Sequence, residues 1–205
     1  MTKRLVGLAA LLASWCLGGA DAMAQDVTRS TTQPALMIKG PTGTPIGAIG
    51  FCRAWPADCL AEGATAAPVE LTDARWRDLD GINRQVNAAV VAMTDEAYYH
   101  QREVWTYPNG YGDCEDYALG KRRALIDLGW PAGSLLMALV RQSDGNAHAV
   151  LVAVTSAGDL VLDNLVDDVR DWAQTDYKFI KMQTPAALDT WVDVEDNRVL
   201  WVASN

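Results

Sequence analysis

Cys114 sits in the run Tyr111-Gly112-Asp113-Cys114-Glu115-Asp116-Tyr117-Ala118-Leu119, where one thiol stands among three carboxylates. Tyr117, Ala118, Leu125 and Leu128 recur at helical spacing, and Gly129-Trp130-Pro131 supplies a stop, so the run predicts a helix that begins around the cysteine. A cysteine at a helix N-terminus faces unpaired N–H groups and the positive end of the helix dipole. Both favour the thiolate, which is the nucleophilic form of sulfur. Asp113, Glu115 and Asp116 oppose that effect, so nucleophilic chemistry here requires a base. The chain has two histidines, His100 and His148.

Cysteine catalysis needs a thiolate, a base that maintains it and later protonates the leaving amine, and a third group that orients the base. His148 opens a strand just after the turn signal Ser143-Asp144-Gly145-Asn146. Asp163 ends the next strand, near the same rim. A tight two-residue turn at Ala157-Gly158 would set Asp163 opposite Val152, on the face of His148 but over ~10 Å away. A bulge, a wider loop or strong twist must close that gap. Otherwise the third member is Asn146, Asp144 or Asn164. His100 follows two tyrosines in an irregular segment with no strand to hold it, and ranks below His148.

The elements around these residues read as follows. Residues 25–50 are rich in Thr, Pro and Gly and form a leader or loop, with at most one short strand around Ala35 to Lys39. Residues 61–68 read as irregular. A long helix starts near Thr72, a capping residue, and carries Trp76, Leu79, Ile82, Val86, Val90 and Met93 at three- and four-residue steps. Residues 94–109 form a polar and aromatic connection. Leu135 to Val140 and His148 to Thr155 are apolar strands, Leu160 to Asp163 returns, and Tyr177 to Met182 and Val199 to Ala203 are further strands. Helices followed by a run of strands indicate one α+β domain with a mainly antiparallel sheet.

Composition bounds the context. The chain has 205 residues, half of them hydrophobic, enough for one domain with a sizeable core. Lys3 and Arg4 precede the apolar stretch Leu5 to Leu17, and Ala22-Met23-Ala24 has the form of a cleavage site, so residues 1–24 read as a signal peptide. The apolar stretch is too short for a membrane anchor. Trp15 occupies the place where a small residue would precede a lipidated Cys16. Export of the chain from Gln25 removes Lys3, Arg4 and Asp21, and the formal charge of −9 becomes −10. An acidic exported protein is poorly suited to nucleic acid or anionic membrane surfaces, and nothing after residue 24 indicates stable membrane insertion. Three cysteines remain. Cys52 and Cys59 bracket Trp55-Pro56 and are expected to close a disulfide loop, contributing ~2 kcal/mol on the chain-entropy view. Cys114 is then the leftover thiol.

Three segments in order, G-D-C-E-D-Y-A-L-x-K-R-R, V-R-x-x-x-G-x-x-H-A-V-L and G-D-L-V-L-D-N-L, resemble the bacterial transglutaminase-like cysteine proteinases. The likeness runs from about Phe51 to Arg170, and F-C-x-x-x-P-x-x-C at Phe51 to Cys59 resembles one branch of that family. The resemblance implies a papain/transglutaminase-like domain over residues 51–205, with N-terminal helices and the nucleophile at a helix N-terminus packed on the sheet. It implies Cys114 as nucleophile, His148 as general base and acid, and Asp163 as orienter. It further implies a periplasmic protease that clips a large surface adhesin at a paired-alanine site in biofilm release. Ca²⁺ would be held by Asp113 and Glu115, and an inner-membrane receptor that senses a cyclic dinucleotide would hold the enzyme inactive. Amide transfer or deamidation at glutamine is the alternative within enzymes, since transglutaminases use the same triad. A non-catalytic binding module of the same fold is the alternative outside them. The Cys114 backbone N–H is a natural oxyanion donor. Pro108 stands where a papain-like glutamine would be, and Trp105 is the remaining side-chain candidate.

Overall fold

The computed structural model describes residues 35–59 and 68–199. The signal peptide, most of the 61–68 segment and the strand expected at Val199 to Ala203 lie outside these residues. In chain order the elements are β1 (Met37–Thr42), α1 (Ile46–Ala54), α2 (Pro56–Cys59), α3 (Asp73–Ala89), β2 (Val91–Ala92), α4 (Asp95–Tyr99), β3 (Tyr111–Gly112) and α5 (Cys114–Asp127). Then follow β4 (Leu135–Arg141), β5 (Ala147–Thr155), β6 (Gly158–Leu162), β7 (Arg170–Asp171), β8 (Lys178–Thr184) and β9 (Ala187–Glu195).

Seven strands form one antiparallel sheet in the order β1-β9-β8-β4-β5-β6-β7, and β2 pairs with β3 in a separate parallel ribbon. The continuous apolar runs of β4 and β5 have a simple cause: both strands are buried on both faces. Leu135, Met137, Leu151 and Ala153 join the cluster that takes in Leu79, Leu119 and Leu125 of α3 and α5. Their neighbours Leu136, Ala138, Val150 and Val152 turn to the opposite face, against Trp172, Phe179 and Met182. The period of two along a strand sorts one hydrophobic sequence into two cores.

Several expectations are corrected. The one short strand allowed around Ala35 to Lys39 is β1, which pairs with β9 along the sheet edge, but the stretch after it is not all loop, since α1 begins at Ile46. The loop between Cys52 and Cys59 is two short helices, and the disulfide joins the end of one to the end of the other with the Cα atoms 5.5 Å apart. α3 starts as expected, with Thr72 accepting a hydrogen bond from Arg75 N–H, but it stops at Ala89. Val90 and Met93 therefore leave the helical stripe. The chain turns extended at Val90, and the N–H groups of Val91 and Met93 donate to Gly110 and Gly112 carbonyls, a tertiary pairing that overrides the periodicity.

Trp105 is buried and packs edge-on to Trp191 in the core. Gly47 of α1 is what lets it in. A methyl group at Gly47 would lie 2.1 Å from Cδ1 of the indole. Gly47→Ala should therefore destabilise the domain by about 1–3 kcal/mol through overpacking, a fall in Tm of very roughly 3–10 °C. A thermal melt of this variant checks it; an unchanged Tm would mean that α1 packs more loosely than the structure shows.

Candidate active site

Cys114 is the first residue of α5, and Asp113 is its N-cap. The side chain is half-buried and opens on a cleft of about 420 Å³ whose lining includes Thr94, Asp95, Glu96, Arg102 and Glu103. Gly112 matters to this approach, because a Cβ there would lie 2.7 Å from that of Asp116. α5 packs against β5, and the Ala149 backbone N–H, next in the chain to His148, is near enough to the Cys114 sulfur to favour its thiolate. The sulfur also donates to Oε2 of Glu115 at 3.0 Å. Burial pushes the thiol up strongly and the Glu115 charge pushes it further; the Ala149 N–H opposes both. With these carboxylates uncompensated, the sulfur is held as a thiol.

His148 is buried, and its Nε2 lies 2.8 Å from Oδ1 of Asp163. The gap foreseen between these two is closed by the turn. The tight turn falls at Ser156-Ala157, because Thr155 pairs with Gly158 and Leu151 with Leu162. Each end of the turn lies one residue earlier than expected from Ala157-Gly158, so the register moves by two. Asp163, continuing β6, comes opposite Val150 instead of Val152, the diagonal neighbour of His148 at a Cβ distance of about 7–8 Å or less. Side chains span that distance, and no bulge is required.

Asp163 is fixed from several sides. Its Oδ1 also accepts from Leu165 N–H at 3.1 Å, and its Oδ2 accepts from the Tyr177 hydroxyl. Asn87 of α3 donates from Nδ2 to the Asp163 carbonyl at 3.0 Å, and Asn83 ties down the carbonyls of Val166 and Asp167. Burial pushes the Asp163 carboxyl up, but the His148 and Tyr177 hydrogen bonds outweigh it and hold the group below its ordinary range. Asp163 is therefore an acceptor at neutral pH, His148 Nε2 carries the proton facing it, and Nδ1 of the neutral ring is left as the basic nitrogen.

The other candidates are placed elsewhere. Asp144 and Asn146 bond to each other across the β4–β5 turn. Asn164 Oδ1 is buried with no partner. His100 is exposed, in the left-handed conformation that ends α4.

The carboxylates around the cysteine are joined by one from α4. Asp95, Asp113 and Asp116 each offer an oxygen within 4.8 Å of the others, and Glu115 stands beside them, its carboxyl against both the thiol and the Asp113 side chain. Asp95 came to light only in the structure; its one sequence signal was the cap pattern Thr94-Asp95-Glu96. Backbone donors hold the three in place: Val104 N–H to Asp95 at 2.5 Å, Asp95 N–H to Asp113 at 3.2 Å and Thr106 N–H to Asp116 at 2.9 Å. Oδ1 of Asp113 and Oδ2 of Asp116 are buried without a protein partner. Burial raises Asp116 to about 7, with the charges of Asp113 and Asp95 adding to it. Burial and then the Asp113 charge raise Glu115 to about 8. Three hard oxygen donors, two of them with an unpartnered buried oxygen, suit a hard divalent cation.

The family described as bacterial transglutaminase-like cysteine proteinase BTLCP matches residues 38–199. Among solved structures, Legionella pneumophila LapG is similar with a TM-score of 0.50 at 24% identity, over 62% of this chain and 72% of that one. Its EGTA-treated form gives 0.49 at 23% identity over 70% and 79% of the two chains. The calcium-bound form gives 0.47 at 23% over 65% and 71%. At this identity the likeness shows a shared fold. No curated protein gives a significant match.

Proposed function

Since the chain belongs to the bacterial transglutaminase-like cysteine proteinases and is a cysteine protease, we propose that Cys114, His148 and Asp163 form its catalytic triad and that it is an exported endopeptidase. The observation that carries this reading is the convergence on one thiol. Cys114 stands at the α5 N-terminus, its sulfur meets the N–H of the residue after His148, and His148 is held by a buried carboxylate.

His148 Nδ1 takes the thiol proton, and the Cys114 sulfur attacks the scissile carbonyl carbon. The carbonyl π pair moves to oxygen, where the Cys114 backbone N–H donates to it. Collapse of the tetrahedral adduct expels the amine, which receives the proton from His148, and leaves a thioester. Water, deprotonated by the same nitrogen, attacks the thioester, and the thiolate departs with the acid product released. Asp163 stabilises the imidazolium in both halves.

Asp95, Asp113 and Asp116 would hold a calcium ion, with Glu115 beside them as the sequence resemblance implies. Bound there, the cation would supply positive charge that offsets the carboxylates around the sulfur. The Asp163 side of the site needs no cation for its geometry. The described residues include no helix long and apolar enough to cross a membrane. A periplasmic location rests on the export signal read over residues 1–24. The substrate class implied by the resemblance is an exported adhesin, and a cyclic-dinucleotide-sensing receptor is the implied inner-membrane partner.

The test uses the purified chain from Gln25 and an adhesin segment with a paired alanine, in calcium, against Cys114→Ala. A new substrate N-terminus that depends on Cys114 is expected. Ammonia release without a new N-terminus would replace this reading by amide transfer, and neither product would leave a binding module.

A further inference from the structure

Asp163 is 2% exposed, so water does little to hold its carboxylate in one orientation. A single hydrogen bond from His148 to Oδ1 would leave the group free to swing about its Cβ–Cγ bond, and the imidazole would swing with it. Leu165 N–H bonds the same oxygen as His148, so it adds little restraint on that rotation. The donor on the opposite oxygen is the Tyr177 hydroxyl. We propose that Tyr177 is a positioning residue of the catalytic site, acting through Asp163 to set the orientation of the His148 ring; this rests on the triad reading above.

The geometry supports the assignment from both ends. The Tyr177 and His148 rings lie 5.5 Å apart, so one aromatic surface flanks the imidazole while its hydroxyl holds the partner carboxylate. Tyr177 is itself anchored: Arg198 Nη2 donates to its carbonyl at 2.5 Å, and the same guanidinium is fixed by Asp196 at 2.8 Å. The hydroxyl therefore projects from a rigid support at the start of β8. On its far side a cavity of about 150 Å³ is lined by Asp163, Tyr177, Val166, Asp168 and Arg170. Without the hydroxyl, water from that cavity gains access to Oδ2, and a water molecule satisfies the oxygen without fixing its direction. The hydroxyl bonds Asp163 rather than His148, so its own effect passes through that carboxylate, while the ring contact with the imidazole is kept in a phenylalanine.

The experiment is a double-mutant cycle on the calcium-loaded chain from Gln25, read by the rate at which iodoacetamide alkylates Cys114 at neutral pH. Tyr177→Phe keeps the ring and removes the hydroxyl. It should slow alkylation about tenfold, the scale of one hydrogen bond to a charged group. In an Asp163→Asn background the same change should add nothing, because the group it acts through has lost its charge. The downfield imidazole N–H resonance of His148, assigned by its loss in His148→Ala, should shift or broaden in Tyr177→Phe. An unchanged rate and resonance, or losses that multiply in the double variant, would overturn the proposal, even where the Tm falls. If Asp163→Asn alone leaves the rate unchanged, the triad reading fails first, and this inference with it.

Discussion

His148→Ala should lower kcat/KM for substrate cleavage by about 10⁴-fold or more, the scale at which loss of one member disables a triad that works as a unit. The structure makes the loss hard to rescue. Burial and the hydrogen bond to Glu115 both hold the Cys114 proton in place, so without an imidazole the sulfur stays a thiol. The second histidine is exposed at the end of α4 and cannot deputise. Leaving-group protonation is lost together with the base, so both halves of the reaction suffer. The measurement is steady-state cleavage by His148→Ala beside iodoacetamide labelling of the same protein, with a circular dichroism melt to confirm folding. Glu115 is the one rival placed to take the thiol proton, at 3.0 Å. A loss of less than about tenfold would be smaller than a single general base contributes and would hand the role to Glu115.

The second large effect concerns the carboxylates, and its sign follows from linkage. Glu115 and Asp116 have folded-state values of about 8 and about 7. Unfolded carboxylates titrate near ~4. Their folded-state values are raised, so their contribution to stability is fully present below the unfolded value and is lost as pH rises through the folded values. In chelator, Tm should therefore fall as pH climbs from about 4 to about 8. Calcium should reverse this at neutral pH. At a hundredfold excess over Kd, binding adds ~2.7 kcal/mol, and for a domain of this size that is about 5–11 °C in Tm.

Asp116→Asn separates the two contributions. It keeps an oxygen for Thr106 N–H but removes a buried charge, so the calcium-free protein should melt higher at pH 8 and the calcium-dependent shift should shrink. Glu115→Gln should leave most of that shift. The reverse pattern, with the shift lost in Glu115→Gln and kept in Asp116→Asn, would restore Asp113 and Glu115 as the ligand pair. A Tm insensitive to calcium at every pH would remove the cation altogether.

The sequence by itself determined what is written in local chemistry. The α5 start is legible because polar caps, helical spacing and a glycine stop are nearest-neighbour signals. The strands β4 and β5 are legible because burial on both faces leaves an unbroken apolar run. Cys114 and His148 stood out because the chain has one leftover cysteine and two histidines, whereas Asp163 was singled out among many carboxylates by the resemblance. Tertiary structure alone decided the rest, because each remaining feature joins segments far apart in the chain. The turn register put Leu162 opposite Leu151, a shift of two positions that carries Asp163 toward His148 and that no composition of Ser156-Ala157-Gly158 discloses. β1 and β9 are strands because they pair with each other across more than a hundred residues. Asp95 meets Asp113 and Asp116 because the 94–106 connection folds back onto α5 through backbone N–H groups. Tyr177 reaches Asp163 although β4 and β5 stand between β8 and β6 in the sheet, because the chain from β7 to β8 passes Asp163 before β8 begins. Residue type can be read from a string of letters, whereas the hydrogen-bond partner of a buried carboxylate depends on which strands become neighbours.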